Sequence, residues 1–313
     1  MPHRCIWSEF LRTAFTETLN RLGDENPRLM FLTGDLGFQL FDEFAEKHGP
    51  RYVNVGVAEA QLVCCAAGLA LEGWRPLAYS IGSFMTGRPF EQIKVNISYP
   101  GLPVVIIGAG GGYTYSASGV THHAPNDLAL MSSLPGMTVV APGDPNELSQ
   151  LLPQLLELPG PSYFRIGRFG EPNYASDAPV ELGKARLLRD GEQVGIISTG
   201  DIASYVVDSA DGLAAEGINP LVYQFHTVKP LDTAALDLIS DKVETLIVVE
   251  EHTPLGGLFS AVSAWRSIRK DGPILVRLGA PDDLILGSPE REELRRRINC
   301  DVLSISEACR SAW

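Results

Sequence analysis

Short apolar runs alternate with amphipathic stretches along almost the whole chain, and this alternation limits the fold more than any other feature. "LMFLTGD" at 29–35, "RYVNVGV" at 51–57, "RPLAYSI" at 75–81, "LPVVIIGAGGGY" at 102–113, "MTVVAP" at 137–142 and "SYFRIG" at 162–167 are short, apolar and rich in β-branched residues, which predicts strands. Between them lie helical patterns at 7–22, ended by Gly23, after the strand at 51–57 in the stretch that contains Glu59, and at 145–158, and a further helix at 88–99 begun by a proline in its first turn. Continuous apolar strands interleaved with helices predict an α/β fold with a mainly parallel sheet covered on both faces.

Periodicity lapses near residues 170–192, where Pro, Gly and charge accumulate, and a second α/β unit follows. Its strands are "VGIISTG", "INPLVYQF", "ETLIVVEE" and "PILVRLG", with helices at about 202–215, 232–239 and 257–269. The 313 residues are enough for two cores of ordinary size, so two domains are expected, 1–180 and 190–313. A net charge of −13, with no basic run longer than Arg295–Arg297, argues against nucleic acid or an anionic membrane surface as partner. The N-terminus lacks the apolar core of a signal peptide and no apolar run approaches membrane-spanning length, which predicts a cytoplasmic protein. Five cysteines without CxxC spacing support neither a disulfide framework nor a zinc site, and Cys64 and Cys65 read as small core residues.

One acid stands out in "NVGVAEAQLVCCAAGLALEG" at 54–73. Glu59 precedes a helix whose residues Leu62 to Leu71 are mostly small or apolar and suit burial over most of its circumference. An unpaired buried charge costs several kcal/mol, roughly. Glu59 is therefore hydrogen-bonded structurally, solvated at the helix start, or presented to a ligand. His122 and His123 follow Gly119 and Thr121 in a loop after a strand, where open α/β sheets place ligands; two adjacent histidines cannot easily share one metal ion. The glycines from Gly108 to Gly112 fail as a dinucleotide fingerprint, because Tyr113 takes the last glycine's place and a loop follows. They are expected to allow a close backbone approach or unusual dihedrals. "TGD" occurs at 33–35 and 199–201, each time as a turn out of a strand, and Arg88 and Glu91 are spaced to pair within one helix.

Taken in order, these segments resemble the C-terminal portion of the thiamine diphosphate enzymes of the transketolase family. The likeness rests on "NVGVAEAQLVCCAAGLALEG", "SFMTGRPFEQIKVNISYP", "SGVTHHAPNDLALMSSLPGMTVVAPGDPNEL", "PSYFRIGR", "TVKPLD" and "VVEEHTPLGGLFSAV", and covers nearly the whole chain. It implies a pyrimidine-binding domain followed by the family's C-terminal domain. In the family a Gly-Asp-Gly motif on another domain holds the cofactor diphosphate and its magnesium, and no Gly-Asp-Gly occurs in these 313 residues. The chain therefore resembles the second subunit of a split transketolase, completed by a separate N-terminal subunit. Two copies of each subunit around a two-fold axis, and no activity in the isolated chain, are implied.

By the same resemblance Glu59 would touch the ring nitrogen of the cofactor pyrimidine. There a carboxylic acid favours the imino form of the exocyclic amine, which can remove the thiazolium proton. Leu36 would press on the bent cofactor, Asp35 would steady its loop, Phe84 would stack on the pyrimidine, and Ile81 replaces a ring that the family usually has. His122 would reach the substrate's oxygen atoms and Arg168 a sugar phosphate. Three departures concern the substrate: Gln39 replaces a serine, Gly110 a histidine and Ser118 an aspartate. They imply transfer of a two-carbon ketol unit between sugar-type substrates that include an unusual donor or acceptor. The alternatives are the beta subunit of a pyruvate-type 2-oxo acid decarboxylating enzyme, and a non-catalytic binding module.

Overall fold

The architecture follows from where the apolar side chains of each strand can go. In β1 (Leu29–Thr33) Phe31 points to one side of the sheet while Met30 and Leu32 point to the other, and in β3 (Arg75–Ile81) Tyr79 and Ala78 divide the same way. Such strands are stable only between two helical layers. One layer contains the helices Leu11–Glu25 and Pro145–Glu157, and the other the helix Glu59–Leu71 and the segment 82–98. Fully buried rings such as Phe31 and Phe164 contribute about 1.5–3 kcal/mol each. The structure, a computed structural model, describes residues 11–37, 39–167 and 179–313, without the side chain of Arg12.

The other strands of the first unit are β2 (Tyr52–Asn54), β4 (Val105–Ala109), β5 (Thr138–Val140) and β6 (Ser162–Ile166), all parallel. The second unit supplies β7 (Arg186–Arg189), β8 (Gln193–Thr199), β9 (Leu221–Gln224), β10 (Thr227–Lys229), β11 (Val243–Glu250) and β12 (Ile274–Gly279). The seven-stranded sheet runs β10-β5-β6-β4-β3-β1-β2, with β10 antiparallel, and the five-stranded sheet β12-β11-β8-β9-β7, with β7 antiparallel. Both are mainly parallel sheets flanked by helices, as the alternation predicts. Register aligns the C-terminal ends of four neighbours: Thr33 pairs with Tyr79, Ile81 with Ala109, and Ala109 with Ile166. The loops carrying Asp35, Gly82, Gly110 and Gly167 therefore leave one edge of the sheet together, the edge where such folds bind ligands.

Several expectations need correction. The first helix runs through Gly23 to Glu25, and that glycine lies against His48 and Phe44, where a Cβ would collide; its expected start at residue 7 lies outside the described residues. The strand expected at 51–57 is confined to Tyr52–Asn54. The helix expected at 88–99 is broken: Gly82–Gly87 is already helical, Pro89 interrupts, and Ile93–Ser98 forms a wider π turn. Cys64 is exposed, Cys65 is half-buried and Leu71 is 70% exposed, so neither cysteine is core. Helix Glu59–Leu71 buries one face, through Leu62, Val63, Ala66, Ala67 and Ala70, rather than most of its circumference. The four described cysteines are free. Strands β7 and β10 and the helices Asp42–His48, Asp127–Ser132, Arg291–Arg297 and Val302–Ala312 lie in stretches without a predicted element. Among the described residues no helix is long and apolar enough to cross a membrane.

Candidate functional site

Glu59 is the first residue of its helix, and Ala58 before it supplies no side-chain cap. The carboxylate is 3% exposed and has two partners: Ser80 Oγ donates to Oε1 at 3.3 Å, and Arg88 Nη1 donates to Oε2 at 2.9 Å. The pairing expected between Arg88 and Glu91 is thus replaced by one to Glu59. The helix N-terminus and the guanidinium both place positive charge at the acid, which makes its burial tolerable. Arg88 also lies over the Phe84 ring, 4.0 Å from its centroid. Phe84 in turn meets His122, with ring centroids 5.1 Å apart, and Tyr115 lies 6.0 Å beyond His122. Thr121 Oγ1 and His122 Nδ1 are 3.0 Å apart.

Leu36 and Ile81 line a common cleft of about 160 Å³, together with Gly37, Tyr79, Ala109 and Tyr115. Asp35 has φ +58°, and its loop is tied to the end of β2, where Asn54 Oδ1 accepts from Asp35 N at 3.0 Å and from Gly56 N at 2.9 Å. The same asparagine donates through Nδ2 to Asp35 Oδ1. Gln39, at φ +61°, and Ser118, in a short turn at Ser116–Ser118, are both exposed. Arg168 lies outside the described residues. The structure thus joins Glu59, Phe84 and His122 through a chain of contacts, and places Leu36 and Ile81 on one cleft wall. Sequence reasoning missed Ser80, Asn54, Tyr115 and the role of Arg88. Only Tyr115 left a signal, in the glycine run that precedes it.

That glycine run makes room for the chain's own side chains. A Cβ at Gly108 would meet the Tyr163 hydroxyl, one at Gly110 the Tyr115 ring, and one at Gly111 the Arg165 side chain. Arg165 is buried between Asp127, 3.3 Å away, and the Glu251 carbonyl, which accepts from Nη2 at 2.9 Å. His123 is buried too, its Nε2 3.1 Å from the Ser116 carbonyl, and burial pushes its pKa down. It keeps the turn in shape and lines a different cavity, with Tyr113, Asn126 and Leu284. The second "TGD" is structural: Asp201 pairs with Arg291 and Arg295, and Arg295 Nε donates to Glu251 at 2.7 Å. Burial pushes Glu251 up, but Arg295 and Arg291 outweigh it and hold the carboxyl below its ordinary range. Among the described residues no group of three or more His, Cys, Asp or Glu is gathered as a metal site.

Comparison with known proteins places the chain in a family. The sequence pattern of the transketolase pyrimidine binding domain matches residues 10–169, and that of the transketolase C-terminal domain matches residues 183–299. The chain is 32% identical over 285 residues to one of the subunits of apulose-4-phosphate transketolase from Phocaeicola vulgatus, covering 90% of each protein. It is 33% identical over 304 residues to 1-deoxy-D-xylulose-5-phosphate synthase 2 of Geobacter sulfurreducens, covering 95% of this chain but 48% of that one. A solved split-gene transketolase, described as an inactive beta4 tetramer, superposes with a TM-score of 0.86 at 32% identity over 96% of this chain and 97% of that one. With both domain patterns present and a subunit-length relative matched nearly end to end, the chain belongs to the transketolase family.

Proposed function

We propose that the chain is the pyrimidine-binding subunit of a split, thiamine diphosphate-dependent transketolase, which acts in the cytoplasm and transfers a two-carbon ketol unit between sugar-type substrates. Residues 1–180 would form the pyrimidine-binding domain and 190–313 the C-terminal domain. The observation that carries the reading is the buried Glu59 carboxylate at a helix start, linked through Arg88 to the half-buried ring of Phe84, which in turn meets His122. This donor set suits a flat nitrogen heterocycle: an acid for a ring nitrogen, a ring to stack on, and apolar Leu36 and Ile81 alongside. Asp35 would steady the loop through Asn54. The cofactor's diphosphate and magnesium would be held by a separate N-terminal subunit carrying Gly-Asp-Gly, and the assembly would contain two copies of each chain around a two-fold axis.

Thiamine diphosphate, when bound, supplies a thiazolium carbon that adds to a ketone and carries the two-carbon unit. Glu59 would hold a proton at the pyrimidine ring nitrogen, and Ser80 Oγ, on its other oxygen, would orient the acid. His122, fixed between Phe84 and Tyr115, would bond substrate oxygen atoms, with Gln39, Ser118 and Arg168 contacting the rest of the sugar. By the resemblance, Ser118 replaces an acid, and Gly110 and Gln39 replace a histidine and a serine, of the usual pentose phosphate enzymes, which favours an unusual substrate. The relative named for apulose 4-phosphate supports that choice.

Reconstitution with the missing subunit tests the reading. We expect ketol transfer with xylulose 5-phosphate and ribose 5-phosphate to run well below the rate with apulose 4-phosphate, and turnover of the two pentose phosphates at ordinary transketolase rates would defeat the unusual-substrate reading. Glu59→Gln should lower turnover about 10²- to 10⁴-fold. Undiminished turnover in that variant would remove Glu59 from the mechanism. A second reading is decarboxylating acyl transfer from pyruvate, since the likeness to a deoxyxylulose-phosphate synthase shows that this half-site is not confined to transketolases. Carbon dioxide release from pyruvate would identify it.

A further inference from the structure

Arg88 makes two contacts that the proposed function leaves unused. Its Nη1 donates to Glu59 Oε2 at 2.9 Å, and its guanidinium carbon lies 4.0 Å from the centroid of Phe84. A guanidinium is flat, delocalised and cationic, with its N–H donors in the plane. A protonated aminopyrimidine stacked on Phe84 and bonded to Glu59 would offer the same flat face and the same in-plane donor. Both cannot be there at once. The carboxylate is 3% exposed and its other oxygen is turned to Ser80, so the oxygen left for a ligand is the one Arg88 takes. The other neighbour of Phe84, His122, is tilted 60° to it and does not cover the ring.

We propose that Arg88 is a self-occluding latch: in the isolated chain its guanidinium occupies the place of the cofactor pyrimidine, and loading requires it to swing out. This rests on reading Glu59 and Phe84 as the pyrimidine site. The geometry suits a part that moves. Arg88 is 50% exposed, so its charge regains water cheaply on leaving. It lies at the junction between the helix Gly82–Gly87 and Pro89, so its side chain can rotate without displacing Glu59, Ser80 or Phe84. A half-solvated ion pair and one cation–π contact together favour the closed position by roughly ten- to a hundredfold. That is enough to keep the site shut in a lone subunit, yet weak enough for a cofactor held by its diphosphate on the partner to displace it. A permanent counterion for Glu59 would instead need no release.

The test uses the full-length chain without its partner, with thiamine diphosphate and the free aminopyrimidine fragment of thiamine as probes in titration calorimetry. Arg88→Met should bind the fragment at least about tenfold more tightly than the natural chain, since the closed fraction no longer competes. Adding Glu59→Gln should erase that gain. Arg88→Lys, which keeps a cation for Glu59 but lacks the flat face, should also bind more tightly, and it guards against misfolding of the methionine variant. In the natural chain, arginine side-chain NMR should show the Arg88 signals moving towards solvent-like values as probe is added. Equal or weaker binding by both variants, no binding to either, or probe binding with the Arg88 signals unchanged would each overturn the latch. The underlying reading is judged separately: it falls if Glu59→Gln keeps full turnover in the reconstituted enzyme, whatever Arg88 does.

Discussion

Gly110 shows how one residue shapes the cleft beside it by what it leaves out. Its φ of +71° is left-handed, and a Cβ there would lie inside the Tyr115 ring. An alanine would carry the backbone penalty of about 1–2 kcal/mol and would also push Tyr115 out of the cleft. We therefore expect Gly110→Ala to lower the unfolding free energy by about 2–4 kcal/mol. Tyr115→Ala in the same chain should recover the steric part and leave the dihedral part. Urea denaturation of the natural chain and the two variants measures this, and natural stability in Gly110→Ala would refute it. The glycine at position 110 is visible in the sequence; the tyrosine ring that packs against it is not, because φ and a five-residue return of the chain decide where that ring goes. Arg88 teaches the same lesson. Glu91 is its obvious neighbour on a helix, but its partner is 29 residues away on another element, and only the folded sheet brings them together. Glu59 was legible for the opposite reason: a charge beginning an apolar helix is anomalous before any partner is known.

Elements with a complete local signal appear where the sequence puts them, and those that depend on distant partners do not. Helix Pro145–Glu157 has a proline in its first turn and apolar residues at helical spacing, and Asp144 caps it by accepting from Glu147 N at 2.7 Å. Glu147 Oε2 reaches back to accept from Gly143 N, closing a reciprocal cap. By contrast β10 is three residues long and exists because β5 offers an open edge, and the segment 82–98 is divided by Pro89. The cap of Pro145–Glu157 also anchors the second unit, since Arg186 Nη1 donates to Asp144 Oδ2 at 3.1 Å and to Glu147 Oε1 at 3.2 Å. Asp144→Ala removes a cap and one partner of a buried guanidinium, and should cost about 2–5 kcal/mol. Asp144→Asn, which can still accept from Glu147 N, should cost less. Guanidinium denaturation curves compare them, and equal losses would mean that the cap contributes nothing.

At the scale of the molecule the two sheets are joined through backbone, so that neither unit ends where its own strands do. Ala141 N donates to the His226 carbonyl at 2.7 Å, Gly200 N to the Ala141 carbonyl at 3.0 Å, and Thr253 N to the Pro125 carbonyl at 2.8 Å. His226 stands at this joint with no exposure; its Nδ1 is 3.0 Å from Thr227 Oγ1, and Nε2 has no hydrogen-bond partner among the described residues. Burial, reinforced by Arg186, pushes its pKa down from 6.5 to about 4. A histidine whose folded pKa is depressed binds fewer protons folded than unfolded between those two values. Its contribution is therefore complete above about pH 6.5 and is lost as the pH falls towards 4, by about 3 kcal/mol in all. His226→Gln can keep the contact with Thr227 but cannot titrate. The unfolding free energy of the natural chain should thus drop more steeply than that of the variant between pH 6.5 and 4, and the two should run parallel above it. The carboxylates lose stability with acid in both proteins and cancel in the comparison. Because the joint ties both sheets, the natural chain should unfold in one transition throughout that window; identical slopes for the two proteins would show that His226 accepts its proton without opening the joint.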